Sequence, residues 1–565
     1  MDEQRPLAAK AKTRWQSLKS ERSSWISHWD EISRYLLPRS GRFFKTDRNR
    51  GDRRHNNIYD NTGTRSLRVL AAGMMSGMTS PARPWFRLTL ADKDLAQSAA
   101  VKVWLQATTT LMLDTFARSN TYRALHSMYE ELGAFGTASS VLIDNYDRVL
   151  HHNPLTAGEY AITTNYGGEV NTLYREFEQR VGAVVTEFGR NNVSQTVRTM
   201  FDKGNLDAWV PIIHAIEPRA ERDPKLRDAK NMPYASIYFE PGENDDKVLR
   251  ESGFLRFDAL CPRWATSGGD IYGNSPGMEA LGDVKQLQQE QLRKSQGIDY
   301  MTQPPLQAPT SMKSRDVDML PGGVTFVDTA VQNAGIRSAW EVRLDLNHLL
   351  MDIQDVRERV RGAFYADLFL MLANSTNSTM TATEVAERHE EKLLMLGPVL
   401  ERLHNELLEP LIDSTFDRLV RAGAIPPPPQ EMQGIELRVE FVSMLAQAQR
   451  AVGTNSVDRF VGNLGAIAQF KPGVLDKFNE DEWADMYSDM LGVDPTLIVP
   501  DEQVAIVRQQ RAQMQQQAAQ AEMANSAADT AAKLGGVQTP GGNLAQDVIG
   551  LFSGYSNPQP QDRVL

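Results

Sequence analysis

Apolar residues recur at helical spacing in two long stretches of the second half of the chain. The first stripe is thin and runs over 276–300, at Leu281, Val284, Leu287, Leu292 and Ile298. Five Gln residues between 286 and 296 cover the rest of that stretch. The second stripe, over 344–364, has heptad-like spacing: Leu346, Leu349, Leu350, Ile353, Val356, Val360 and Phe364. This pattern predicts two long helices. Ser275 is suited to cap the first, and Pro276 to occupy its first position.

The segment between these helices is rich in Pro and Gly from Gln303 to Gly323, which predicts irregular or extended chain, with a strand at Val324–Asp328. The apolar-to-polar stretch after the second helix is predicted to form a loop. Thr381 and Glu384 then form a capping box for a third helix that reaches Ala422. That helix would be roughly 60 Å long at 1.5 Å per residue. Pro398 and Pro410 inside it predict kinks.

The N-terminal half mixes helices and strands. One helix over 6–36 carries Trp15, Trp25 and Trp29, and further helices are expected after the capping candidates Asp60, Asn61 and Thr62, and over 95–118 and 121–134. Two short helices are predicted around 180–203. Strands are predicted at Ser139–Asn145, Tyr160–Thr164, Val170–Phe177, Ala208–Ile216, Ala235–Glu240 and Phe257–Cys261. Helices and strands are segregated rather than alternating, so the fold class is α+β, mainly α, and a dinucleotide fold is not indicated.

Towards the C-terminus, helices are predicted at 443–453, 455–468 and 480–491. Asp501–Met523 is dense in Gln and Ala with a weak apolar stripe, which in a ring of copies could form a helical barrel. The tail after Lys533 is rich in Gly, Pro, Gln and Asn, which is typical of disorder.

Length, charge and cysteine content narrow the function classes. A chain of 565 residues is too long for one core and predicts two to four domains. The net charge of −11 argues against a protein that grips DNA tightly. The chain has a single cysteine, Cys261, which excludes an internal disulfide framework. The longest apolar run, Phe364–Ala373, is about half the length of a membrane span, so no membrane-spanning helix is expected.

One local exception to the acidic balance is Arg39–Arg54, which has seven Lys or Arg residues against two Asp. This basic segment is either an arm that contacts phosphate, a solvated linker or a loop that contacts another subunit.

Catalytic motifs are weak, so no enzyme activity, metal or cofactor is predicted. His389-Glu390 resembles the start of a zinc protease motif, but Leu393 stands where the second ligand would be. His151-His152 lacks a surrounding ligand cluster and is predicted to lie in a loop. Gly268-Gly269 and Gly322-Gly323 lack the Lys-Ser/Thr of a phosphate loop.

The order of the pieces resembles the portal, or head-to-tail connector, proteins of short-tailed bacteriophages. The matching segments are NIYDNTGTRSLRVLAAGMMSGMTSPARPWFRL, YGNSPGMEALGDVKQLQQEQLRKSQ and TATEVAERHEEKLLMLGPVLERLHNELLEPLI, within residues 10–420. The resemblance implies nine regions: an N-terminal wing (1–274), stem helix 1 (275–300), the clip (301–343), stem helix 2 (344–363), the tunnel loop (364–380), a long kinked helix returning to the wing (381–442), a crown (443–500), a barrel helix (501–532) and a flexible tail (533–565).

The resemblance also implies a mechanical function. Portal proteins form a ring of twelve copies at one capsid vertex, through which double-stranded DNA is packaged and ejected. The expected partners are the terminase large subunit, head–tail adaptor and tail proteins, the major capsid protein, and scaffolding or internal core proteins. The expected location is the virion, with assembly in the host cytoplasm. The alternatives are another ring-forming virion connector or adaptor and, less favoured, a DNA-packaging enzyme.

The resemblance places candidate site residues in two regions. Those expected nearest DNA are Arg357, Arg359 and Arg361 on the second stem helix, and Asn374, Ser375, Thr376, Asn377 and Ser378 in the tunnel loop. An equal alternative for the arginines is salt bridges between subunits, to Glu358 or Asp355. The clip residues expected to contact terminase or adaptor are Lys313, Arg315, Asp316 and Asp318.

Overall fold

The computed structural model describes residues 6–43, 56–92, 95, 98–226, 228–242, 248–303, 306–307, 337–338, 346–374, 395–432, 434–442, 460–468, 470–491, 499, 501–534, 538–539 and 542–543. The chain divides into two compact units, Met1–Arg459 and Phe460–Leu565. The described residues confirm the α+β class, with helix predominating.

The single helix predicted over 6–36 is wrong, because two helices occupy this stretch: α1 (Leu7–Glu21) and α2 (Ser23–Tyr35). They meet at Arg22, which is buried and donates to the Tyr160 carbonyl. Trp15 on α1 stacks on Tyr174, in a small core under the large sheet. Trp25 and Trp29 on α2 instead pack in the main core. The helix therefore breaks where the chain passes from one core to the other.

The main core is built on three further helices: α3 (Thr62–Met78), α4 (Ala99–Arg118) and α5 (Thr121–Phe135). The indole of Trp29 donates to the Phe135 carbonyl at 3.0 Å, which ties α2 to the end of α5. The antiparallel strands β1 (Phe86–Leu90) and β10 (Leu437–Phe441) also pack on this core. Since the two strands lie about 350 positions apart, their pairing brings the chain back to its N-terminal part.

Two antiparallel sheets fill the middle of the first unit. A three-stranded sheet has the order β3-β2-β9, and a five-stranded sheet runs in sequence order from β4 to β8. The strands are β2 (Ser139–Asn145), β3 (Val149–Leu155), β4 (Tyr160–Thr164), β5 (Val170–Arg180), β6 (Trp209–Pro218), β7 (Tyr234–Phe239), β8 (Arg250–Phe254) and β9 (Ala259–Leu260). Helices α6 (Val181–Phe188) and α7 (Gln195–Asp202) connect β5 to β6.

The prediction of a loop at His151-His152 is wrong. Both residues lie in β3, paired with Ile143 and Leu142 of β2. His152 is fully buried, and burial lowers its pKa to about 3, so its imidazole is neutral. Alternation of buried and exposed residues in this strand, rather than metal binding, explains the histidine pair.

The two long helices are present as predicted: α8 (Pro276–Thr302) and α9 (Leu346–Ala363). The loop predicted over 364–380 is wrong in its first part, because α10 (Ala366–Asn374) is a helix. Its Phe369 packs so closely on α3 that any side chain at Gly73 would overlap the ring. The apolar residues that begin this stretch are therefore core residues.

The third long helix is described from residue 395 onwards. Residues 395–403 are α-helical, His404–Leu408 form a π turn, and α11 (Glu409–Arg421) completes the helix. The backbone N–H of Glu409 donates to the His404 carbonyl, five residues back. The break in the regular α pattern thus lies immediately before Pro410, which has no N–H to donate.

In the second unit, residues 460–468 are helical, followed by α12 (Glu480–Leu491) and α13 (Asp501–Leu534). The predicted helix at 443–453 and strand at Val324–Asp328 lie outside the described residues. The tail predicted to be disordered contains a short pair of strands, Gln538–Thr539 with Gly542–Asn543. No helix in the described ranges is long and apolar enough to cross a membrane.

Candidate functional site in the helix pair α8 and α9

The start of α8 is fixed against the end of α5. The Ser275 hydroxyl accepts the Met278 N–H at 3.0 Å and donates to the Ala134 carbonyl at 2.8 Å, which confirms Ser275 as the cap. Gly277 allows the backbones to approach closely, because a Cβ at this position would lie 2.8 Å from the Ala134 oxygen and 2.9 Å from that of Gly133. The direction in which α8 leaves the main core is therefore set by its first turn.

We expect Gly277→Ala to destabilise the first unit by about 1–3 kcal/mol, since the added methyl meets backbone that cannot move independently. The matched control is Gly282→Ala on the same helix, where the added Cβ has open space around it. The control is expected to be neutral or to stabilise by up to about 1 kcal/mol. Chemical denaturation measures both variants, and equal effects would contradict the close packing.

A buried polar cluster joins α8 to the chain before α3. Gln288, 4% exposed, accepts the backbone N–H groups of Tyr59 and Asp60 at 2.6 and 2.8 Å. Its amide nitrogen donates to the Asp60 carbonyl at 2.9 Å. Of the five Gln residues predicted to cover the helix beside its apolar stripe, Gln288 instead points inward and satisfies three backbone groups.

Asp60 joins α9 to the same cluster. One carboxylate oxygen accepts the N–H and hydroxyl of Thr62, the first residue of α3, at 2.8 and 2.5 Å. The other accepts Gln291 at 3.2 Å and the Arg357 guanidinium at 3.1 and 2.7 Å. Burial by itself raises the pKa of Asp60, but the hydrogen bonds from Thr62 and Arg357 outweigh it, and the net pKa is lowered. We call Asp60, Gln288, Gln291 and Arg357 the anchor cluster.

The other two arginines of α9 differ from Arg357. Arg359 is about half exposed and bridges to Asp283 of α8 at 2.9 Å and to Asp355 at 3.2 Å. Arg361 is exposed and makes no ion pair with any residue that the structure describes. Asp355 thus pairs with Arg359 of its own helix, and Glu358 accepts from Gln354 at 3.1 Å, while the pairing of these acids between subunits stays a prediction. Of the three candidates, only Arg361 presents an uncommitted charge.

A pair of carboxyl groups lies between the same helices. Glu290 of α8 accepts the Gln286 amide at 2.6 Å, and its other oxygen is buried without a hydrogen bond in the described structure. Burial first, and then the neighbouring Asp352 of α9, raise the pKa of Glu290. The helix pair is thus held by the ion pairs of Asp60 with Arg357 and of Asp283 with Arg359. Farther along the pair, Glu290 and Asp352 form an acidic patch.

The remaining predicted site residues lie at the edge of the described chain or beyond it. Tyr365, in the left-handed region at φ 53°, turns the chain between α9 and α10, and Asn374 is the last residue of α10. Ser375, Thr376, Asn377 and Ser378 lie outside the described residues, as do Lys313, Arg315, Asp316 and Asp318. Among the described residues, no group of three or more His, Cys, Asp or Glu side chains could hold a metal ion.

Comparison with known proteins decides the family. The profile described as "Bacteriophage head to tail connecting protein" matches residues 8–499, which include α8, α9 and the anchor cluster.

The chain belongs to the bacteriophage head-to-tail connecting protein family.

Two relatives of this connector match nearly end to end. The "Probable portal protein" of Bordetella phage BPP-1 is 67% identical over 544 residues, which cover 96% of this chain and 98% of that one. The "Portal protein" of Salmonella phage epsilon15 is 46% identical over 523 residues, covering 92% and 94% of the two chains.

The connector also matches solved structures of gene transfer agent particles, at low similarity. The chain described as "Neck of empty GTA particle computed with C6 symmetry" is 14% identical, covers 79% of this connector and is itself covered to 95%, with a TM-score of 0.36. A second, "Neck of native GTA particle computed with C12 symmetry", is 12% identical, with coverages of 72% and 86% and a TM-score of 0.33.

Proposed function

We propose that this connector is a phage portal subunit, whose copies form a ring around a channel for double-stranded DNA at one capsid vertex. The observation that carries the proposal is the near end-to-end match to two relatives named as portal proteins, within a family match over 8–499. In this proposal the ring has twelve copies. It binds the terminase large subunit during packaging and the adaptor and tail proteins afterwards, and it contacts the capsid and scaffolding or core proteins.

In this proposal α8 and α9 form the stem that surrounds the channel. The anchor cluster fastens both helices to the first turn of α3, so that the pair transmits force as one body rather than bending at its base. Two of the three α9 arginines are used within the chain, at Asp60 and Asp283. Arg361 is the one that remains for phosphate. Neutral polar groups at Asn374, Ser375, Thr376, Asn377 and Ser378 complete a DNA-facing surface that holds phosphate weakly.

The overall charge supports a channel through which DNA slides. Twelve chains of net charge −11 carry roughly −130, which disfavours non-specific adhesion of DNA to the ring. A protein that clamps DNA would release many counterions and bind in a strongly salt-dependent way. A few arginines per subunit on an acidic background position DNA without immobilising it. The clip residues Lys313, Arg315, Asp316 and Asp318 are proposed to contact terminase and adaptor.

Electron microscopy of the purified protein tests this function. Closed rings with a central hole wide enough for a DNA duplex are expected, and native mass spectrometry gives the number of copies. A compact monomer with nuclease or ATPase activity would refute the portal assignment.

A sealing role for the segment after α10 predicts a specific packaging defect. We expect deletion of Ser375–Ser378 to leave DNA packaging intact but to reduce retention of DNA in filled heads, because the loops would no longer close around the duplex. Replacement of the same four residues by Gly-Ser-Gly-Ser keeps the length of the loop but removes its native side chains. Comparison with the deletion therefore shows whether retention depends on the length or on the side chains. Retention is measured as nuclease-protected DNA per head, and normal retention in the deletion variant would count against sealing.

A further inference from the structure

A cleft of about 830 Å³ in the first unit is not used by the proposed channel. Its walls are the β4–β5 turn at 167–170, the segment 255–263 and one face of the helix that contains the π turn. Along that helix the exposed residues Glu401, Asn405 and Glu409 recur every four positions and face the cleft. We call this the acidic cleft.

The charges that line the acidic cleft leave a negative excess. Five acids, Glu169, Glu401, Glu406, Glu409 and Asp413, meet three arginines, Arg256, Arg263 and Arg402. The arginines are already paired: Arg263 and Arg402 with Glu406 at 2.7 and 3.0 Å, and Arg256 with Asp413 at 2.6 Å. Glu401 and Glu409 make no ion pair with the described residues, and burial and the nearby Asp413 raise the pKa of Glu409. Glu169 is hydrogen-bonded to Asn165 but also makes no ion pair with the described residues, so the cleft has three carboxylates that no cation balances.

The walls of the acidic cleft are held rigidly. Arg263, whose side chain is 4% exposed, donates to the Gly168 carbonyl at 2.8 Å and to Glu406, so it clamps the β4–β5 turn to the helix. Asn165 and Glu169 close the same turn with backbone and side-chain hydrogen bonds of 2.8 to 3.0 Å. The π turn His404–Leu408 forms the middle of the opposite wall, and such turns are frequent at functional sites. A preformed cleft binds its partner without a large ordering cost.

The chain itself contains a segment of complementary charge. Residues 44–55 carry Lys45, Arg48, Arg50, Arg53 and Arg54 against Asp47 and Asp52. The base of this segment is fixed away from the cleft, because Arg42 pairs with Glu159 and donates its N–H to the Ala157 carbonyl. That contact lies at the opposite end of β4 from the 167–170 turn, and the far end of the segment is fixed by Gln288 at Tyr59 and Asp60. Both ends of the segment are thus held at residues outside the cleft, and charge complementarity makes its twelve residues a candidate occupant for a cleft on a second copy.

We infer that the acidic cleft of one copy binds the basic segment 44–55 of a second copy, and that this contact helps to close the ring. The inference rests on the proposed function, since a ring built from identical subunits needs two different complementary surfaces on each subunit. Of the three interpretations of Arg39–Arg54, namely a phosphate-contacting arm, a solvated linker and a subunit contact, the inference favours the subunit contact. Opposite charges at such a rim accelerate association and suppress wrong partners.

Charge reversal tests the inference. Glu401→Lys with Glu409→Lys reverses the cleft, and Arg50→Glu with Arg53→Glu reverses the basic segment. Each pair alone is expected to raise the protein concentration needed for half-maximal ring formation by about tenfold or more, equivalent to about 1.4 kcal/mol. The matched control, Asp114→Lys with Glu221→Lys, makes the same charge change at exposed acids outside the cleft and should assemble as the wild type does. Ring formation is measured by sedimentation velocity, and circular dichroism confirms that each variant is folded.

Mixing the two reversed proteins distinguishes binding between copies from binding within one copy. In alternating rings each reversed cleft meets a reversed segment and each wild-type cleft a wild-type segment, so an equimolar mixture should recover assembly. If only the protein carrying all four substitutions recovers, the segment binds its own cleft and the inference is overturned. Unaltered assembly of both reversed proteins also overturns it, while leaving the portal proposal intact. Absence of rings in the wild type would instead refute the portal proposal.

Discussion

Replacing Arg357 with Ala should destabilise the first unit by about 1–3 kcal/mol, because it removes a charged hydrogen-bond donor from the buried carboxylate of Asp60. The Asp60 side chain is only 6% exposed, whereas that of Arg357 is 34% exposed, so water that enters the space left by the arginine restores part of the lost interaction. It would retain its bonds to Thr62 and Gln291, but with an uncompensated charge between α3, α8 and α9. The loss should appear as a lower denaturation midpoint and as increased proteolysis at the base of α9.

Arg359→Ala is the control for this experiment, since it removes an arginine two residues away in the same helix. Its ion pair with Asp283 is half exposed, so a loss of about 0–1 kcal/mol is expected. The double variant Asp60→Ala with Arg357→Ala should lose less free energy of unfolding than the sum of the two single variants, because either single change already removes the ion pair. Equal, small effects of Arg357→Ala and Arg359→Ala would show that Arg357 is free to act in the channel instead.

Elements fixed by local sequence were predictable. Ser275 and Pro276 start α8 because a hydroxyl cap and a residue without an N–H both suit the first turn of a helix. The bounds of β2 were predicted residue for residue, and α12 likewise. In each case the residues that determine the bounds of the element lie within about a dozen positions of one another, and the structure adds only which other element it packs against.

Features that depend on distant contacts could not be predicted in the same way. The alternation in Phe86–Leu90 fits a strand, but its partner Leu437–Phe441 lies far along the chain, so neither strand was predicted. The break between α1 and α2 lies at Arg22, whose side chain donates to the distant Tyr160 carbonyl, and helical periodicity carries no signal of such a contact. Residues 366–374 were assigned to a loop because polar residues follow them, whereas Phe369 packing on Gly73 makes them helical.

In the candidate site, too, local features were predictable from the sequence and features that depend on distant contacts were not. The arginines of α9 are visible in the sequence, but which of them is neutralised depends on Asp60, nearly 300 positions earlier. Gln288 carries one available signal: it stands beside Leu287 and one turn after Val284, on the face that the apolar stripe predicts to be buried. A polar residue at such a position must have a partner when buried. That reasoning would have predicted a polar contact, though not its identity.

The buried carboxyl group of Glu131 should make a contribution to the stability of the first unit that falls as pH rises from about 4.5 to about 7. Glu131 of α5 accepts the Thr156 hydroxyl at 2.6 Å and the Ala157 N–H at 3.1 Å, beneath the base of the basic segment. Burial raises its pKa from the ordinary 4.5 to about 7, and the nearby Glu159 adds to the shift. Below pH 4.5 the group is protonated in both the folded and unfolded chains, so it carries no penalty.

Between pH 4.5 and 7 the unfolded chain ionises at Glu131 while the folded chain keeps its proton, so folding must take up a proton at this group and its contribution to stability declines. The loss is complete above pH 7 and amounts to about 3 kcal/mol at 1.36 kcal/mol per pH unit. Glu131→Gln cannot ionise, so its free energy of unfolding relative to the wild type should rise by about 3 kcal/mol between pH 4.5 and 7. The opposite contribution of the buried His152, whose pKa is lowered to about 3, is common to both proteins and cancels in this difference. Glu130→Gln makes the same change one residue earlier and should keep the wild-type slope. If Glu131→Gln keeps the wild-type pH dependence, a group other than Glu131 controls the response. Glu159 is the first to test, because burial raises its pKa as well. Its ion pair with Arg42, at the base of the basic segment, would then depend on pH.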